Sequence, residues 1–96
     1  MAITHKSKLP VGIQIDGNTV KDFTVRPATM RDNIAAIEEL GDDAPQISLR
    51  IAIQARQVSF DGSDEVMTTD MLMDAYEADY SAIADAIGVV EKKLLA

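Results

Sequence analysis

The sequence has no cysteine and no tryptophan, a single histidine, and only two Phe and two Tyr. Without cysteine there is no disulfide framework and no thiolate zinc site. His5 stands in a polar N-terminal stretch with no nitrogen or sulfur ligand to join it, so neither a zinc centre nor a Ser-His-Asp or Cys-His arrangement is expected. The five glycines are scattered singly, which excludes a Gly-rich phosphate loop. Asp61, Asp64 and Glu65 lack the alternate spacing of an EF-hand loop. Neither Ser63 nor Ser81 sits in the Asp-Ser-Leu setting that carries a phosphopantetheine. No apolar run approaches the ~18 residues of a membrane span. The opening MAITHKSKLP lacks the apolar stretch of a signal peptide. The expectation is a soluble cytoplasmic protein with no cofactor, no metal and no catalytic residues.

What is present is a core vocabulary of Ile, Ala and Met in a chain of 96 residues, 47% of them hydrophobic. That length predicts one domain with one core. Net charge is −7, and its distribution is uneven. Residues 1–60 balance seven acids against seven Lys and Arg, whereas residues 61–96 hold nine acids and two lysines. An acidic C-terminal third repels phosphate backbones, which argues against nucleic-acid binding, and it would favour a basic protein partner. Its plainer role is a solvated face.

The pattern predicts an α+β fold, a small N-terminal β-hairpin followed by a bundle of three to four α-helices. Residues 1–8 read as a flexible polar lead and residues 9–96 as the single domain. In LPVGIQIDGNTVKDFTV, Val11, Ile13 and Ile15 alternate with polar neighbours, and Asp16-Gly17 is a two-residue turn signal. The return strand alternates with imperfect phase. Arg26, preceding a proline, is held extended, and Pro27 ends the strand for want of an N–H. Thr29 then caps a helix, and Asp32 stands at the capping-box position. Met30, Ile34, Ile37 and Leu40 follow at helical spacing until Gly41. Arg26, Pro27, Thr29 and Asp32 thus form a structural junction.

QISLRIAIQARQV admits two readings. Ile47, Leu49, Ile51, Ile53 and Ala55 alternate as in a strand, yet Ile47, Ile51, Ala55 and Val58 also make one helical face. Its length, Pro45 at its start and its alanines favour a helix. Residues 59–64 read as a loop around Asp61-Gly62. A short helix is expected near 69–76, capped by Thr68 or Thr69, and a longer one over roughly 78–95. Three of the five methionines, Met67, Met71 and Met73, cluster with Tyr76 and Tyr80. This cluster is either core packing or an adaptable surface for an apolar partner helix.

The order of these pieces, TVKDFTVRPATMRDNIAA, then ISLRIAIQARQV, then ADYSAIADAIGVVEKKL, resembles the tail assembly chaperones of Mu-like and related contractile-tailed phages and prophages. Arg26, Pro27 and Asp32 match the family's strand-to-helix junction, and Tyr80 after Asp79 matches the start of its last helix. The acidic loop DGSDEVMTTD is longer than the family pattern. The resemblance implies a non-catalytic protein of the host bacterial cytoplasm that binds the tape measure protein, assists tail tube assembly in contact with the tube protein, and is absent from the mature virion. A minor structural tail component is the alternative. A homo-oligomer is compatible with either, and Met67, Met71, Met73, Tyr76 and Tyr80 are the expected partner contacts.

Overall fold

The computed structural model describes residues 3–62 and 65–96. A three-stranded antiparallel sheet in the order β1-β2-β3 is built from β1 (His5–Ile15), β2 (Asn18–Val25) and β3 (Val58–Phe60). Four helices accompany it: α1 (Met30–Leu40), α2 (Gln46–Arg56), α3 (Thr69–Met73) and α4 (Glu77–Leu95). The α+β architecture with a leading hairpin is therefore as the sequence predicts.

The β1–β2 hairpin turns at Asp16-Gly17, with Ile15 paired to Asn18 and φ positive at both turn residues (51° and 80°). This is the mirror-image turn geometry that matches strand twist, and Gly tolerates it without cost. The lead expected over residues 1–8 is corrected from His5 onward. His5, Lys6, Ser7 and Lys8 pair with Val25, Thr24, Phe23 and Asp22. Their polar side chains concealed a strand whose alternate residues are exposed.

The ladder breaks between Lys8 and Ile13, where Leu9, Pro10, Val11 and Gly12 face Lys21 alone. Proline and glycine are at home in such a bulge, because the ladder needs no N–H from Pro10 and the backbone takes φ 105° at Gly12. Three extra residues on one strand also account for the imperfect phase of β2. Val20 is half-buried on one side of the break, and Phe23 and Val25 are fully buried beyond it.

Residues 46–56 are helical, as length and alanine content favour. Val58, counted on that helical face, instead begins β3, a strand that a loop reading of residues 59–64 overlooks. β3 pairs Phe60 with Phe23 and Val58 with Val25, and both of its apolar side chains are buried. The short helix ends at Met73, earlier than expected, and α4 begins at Glu77.

Leu9, Phe23, Val25, Ala55, Val58, Phe60, Met67, Leu72, Ile83, Ala86 and Val90 form the core. Helix α4 lies along β1 and is fixed to it at both ends. Asp79, in its first turn and fully buried, accepts hydrogen bonds from Val11 N (2.9 Å) and Gly12 N (3.1 Å). Lys93, in its last turn, donates to the Thr4 carbonyl at 3.1 Å. The bulge thus turns two backbone amides out of the sheet, and a helix carboxylate satisfies them.

Helix α1 is oriented against its own hydrophobic pattern. It packs on α2, and its buried residues are Asp32 and Ala36. Met30, Ile34 and Ile37 point to solvent, 72%, 54% and 43% exposed.

Candidate partner-binding surface

The junction residues converge on one ion pair. Arg26 donates from both terminal nitrogens to the two carboxylate oxygens of Asp32, each at 2.8 Å. The same guanidinium donates to Pro27 O at 3.0 Å and to Arg56 O at 2.9 Å. Asp32 also receives the Thr29 backbone N–H at 2.8 Å, the acid's half of a capping box. The positive end of α1 therefore meets a carboxylate, and the negative end of α2 meets a guanidinium. Gln57, buried and overlooked in the sequence, adds a reciprocal pair: Arg26 N donates to Gln57 O (3.0 Å) and Gln57 Nε2 donates to Arg26 O (2.8 Å). Pro27 ends β2 between these contacts.

The electrostatics follow from that geometry. The Arg26 guanidinium, helped by the Thr29 N–H, holds the Asp32 carboxyl down to about 2 despite its burial. Asp32 in turn raises the Arg26 guanidinium above its ordinary value. Glu39 is also held below the usual carboxylate range, first by Arg56 (2.8 Å) and then by the Thr69 hydroxyl (2.9 Å). These groups brace α1, α2 and α3 against one another.

The Met/Tyr cluster is divided by the fold. Met67 is buried in the core and presents no surface to a partner, which corrects its place among the expected contacts. Met71 and Tyr80 are half-buried against the core, and the Tyr80 hydroxyl donates to Gln54 Oε1 at 2.8 Å. Met73 and Tyr76 are exposed. Two clefts flank this segment. One, about 270 Å³, is lined by Ile47, Ile51, Leu72, Met73 and Tyr80, with Glu77 at its margin. The other, about 290 Å³, lies between the β1 bulge and α3 and is lined by Gly12, Ile13, Met71 and Tyr76, with Asp74 beside them. Met73 and Tyr76 therefore serve different clefts, and Ala75 lines both.

Asp61 holds its loop to the sheet, accepting from the Thr24 hydroxyl at 2.8 Å while its own N–H donates to Asp22 O at 3.1 Å. Asp64 and Ser63, weighed above for calcium and for a carrier attachment, lie outside the described residues. Among the described residues no three of His, Asp and Glu are grouped to hold a metal ion. No described helix is long and apolar enough to cross a membrane. No protein-family model, curated protein or solved structure matches this chain.

Proposed function

We propose that the chain is a non-catalytic chaperone of phage tail assembly that holds an amphipathic helix of the tape measure protein. The observation that carries the reading is the pair of shallow apolar clefts on either side of Met73 and Tyr76. Methionine and aliphatic walls adapt to partners of varied contour, and apolar anchors at successive helical turns can seat in such clefts. Asp74 and Glu77 at the margins favour a partner helix whose polar face is basic, and the acidic C-terminal third would hasten its encounter. The identity of that partner comes from the resemblance of the Arg26-Pro27 junction and the Asp79-Tyr80 helix start to the tail assembly chaperones.

Co-expression with the tape measure protein of the same phage or prophage tests the reading. The expected result is a larger soluble fraction of that protein and a complex that survives purification. Met73→Asp and Tyr76→Asp should each reduce recovery of the complex and leave the circular dichroism melt of the isolated domain in place. A wild-type chain that neither solubilises nor co-purifies with the tape measure protein, yet is found in purified particles, would overturn it in favour of a tail component.

A further inference from the structure

We infer that α1 is the interface of a two-fold dimer, in which the Met30–Ile34–Ile37 stripe packs antiparallel on the same stripe of a second copy. The inference does not depend on the tape measure reading, because it concerns a different face of the molecule. Met30, Ile34 and Ile37 recur at spacings of four and three residues, so they share one side of the helix, and that side faces away from the core. The side turned inward carries Ala36 and the ion-paired Asp32. A surface helix normally places its apolar stripe against its own domain. Here the domain takes the small residue and leaves the large ones in solvent.

The flanking charges identify what covers the stripe. Arg31 and Glu38 stand seven residues apart on the same edge of it, both exposed. Among the described residues neither has a side-chain hydrogen bond or ion pair. Each also stands at the wrong end of its helix. Arg31 is in the first turn, where the helix dipole disfavours a cation, and Glu38 is in the last turn, which contains no basic residue to offset it. The loop that follows adds Asp42 and Asp43 at the same end.

A second copy resolves both conflicts at once. With a two-fold axis near Ile34, Met30 lies over Ile37 of the partner subunit, and Arg31 lies beside Glu38 of the partner subunit. Symmetry repeats both contacts. The pairing is of the edge-to-edge kind that selects orientation in helix pairs. A parallel two-fold arrangement would instead face the Arg31–Glu38 edge of each helix with the opposite edge of its partner, which carries Asn33 and Leu40, and would leave both charges unpaired. Three turns of helix offer less than the roughly 800 Å² per partner of a standard interface, so the dimer is expected to dissociate in the micromolar range.

Sedimentation equilibrium of the purified chain across a micromolar-to-millimolar dilution series is the test. The wild type should show a reversible monomer–dimer equilibrium that weakens with added salt, as exposed ion pairs require. Arg31→Glu and Glu38→Arg should each weaken the dimer about tenfold or more, because each places like charges together twice. The double reversal, Arg31→Glu with Glu38→Arg, should restore it. These variants separate association from folding. Each single reversal puts the favoured sign at its helix end, so the thermal melt of the monomer should hold or rise while the dimer is lost. A chain that stays monomeric throughout the series, or a dimer indifferent to both single reversals and to Ile34→Glu, would overturn the inference.

Discussion

Arg26 and Asp32 meet through two parallel N–H···O contacts of 2.8 Å, six residues apart in sequence and on opposite sides of a strand-to-helix junction. The fork is specific to arginine, since lysine presents a single point charge and cannot also reach Arg56 O and Pro27 O in fixed geometry. Arg26→Lys should therefore recover little of what Arg26→Ala loses. The Arg26 side chain is 42% exposed, which screens the pair. The cost of either change is expected at about 1–2 kcal/mol, less than for a fully buried pair. Urea denaturation of the two variants beside the wild type measures it.

The same pair sets the acid limit of the fold. The folded Asp32 carboxyl, at about 2, lies below its unfolded value near 3.9. A depressed carboxylate contributes stability that is fully present above the unfolded value and is lost as pH falls through the folded one. The pair's contribution should therefore disappear between about pH 4 and pH 2. Glu39, lowered in the same sense, adds to the slope. Asp32→Asn should be less stable than the wild type at pH 7, and the gap should narrow toward pH 2. Thermal melts over that range give the two curves.

Gly12 and Gly88 should respond to alanine with opposite signs. At Gly12 a new Cβ would stand 2.5 Å from Thr19 Cγ2 and 3.1 Å from Lys21 Cγ, on a backbone with φ 105°. Overpacking and a left-handed backbone together predict a loss of roughly 2 kcal/mol or more for Gly12→Ala. Gly88 lies within α4 with open space where its Cβ would be. Gly88→Ala should stabilise by up to about 1 kcal/mol through helix propensity. Chemical denaturation at constant m-value distinguishes both from a change in the unfolded state.

Asp79 is expected to tolerate neither Asn nor Ala. Its two oxygens serve Val11 N and Gly12 N separately, so Asn replaces one acceptor with a donor facing an N–H. Ala leaves two amides of the bulge without their acceptor. Losses of about 2–3 kcal/mol follow, larger than for any exposed acid in α4 such as Asp85. Hydrogen exchange offers a local check, since protection of the Val11 and Gly12 amides should fall ahead of the sheet as a whole.

Much of this was legible in residues 9–45. Asp16-Gly17 announces the hairpin turn, Arg26-Pro27 the end of β2, and Thr29 with Asp32 the start of α1, because each acts through short-range backbone chemistry. The readings that failed needed partners distant in the chain. His5–Lys8 is a strand because Asp22–Val25 pairs with it, and polar side chains on an exposed edge leave no periodic signal. Val58–Phe60 is too short to show a period, and its partners lie 33 to 37 residues earlier. The methionine cluster gave composition but not direction. Met67 points inward and Met73 outward, and only the placement of α3 decides which. The spacing of Met30, Ile34 and Ile37 defined an apolar stripe correctly, but spacing does not say whether the domain itself or another molecule covers that stripe.

The fastening of α4 to β1 bears on how the domain is made. Its contacts, Asp79 to Val11 and Lys93 to Thr4, join residues 68 and 89 positions apart. Strand β1 is thus secured by the helix farthest from it in this sequence. Until α4 is in place, the β1 bulge keeps two unsatisfied amides, and β1 lacks the helix that packs along it. Folding then depends on contacts distant in sequence, which slows it relative to a helical bundle of the same length. A nascent or truncated chain ending before α4 would expose its sheet, and aggregation is the expected fate of such a fragment.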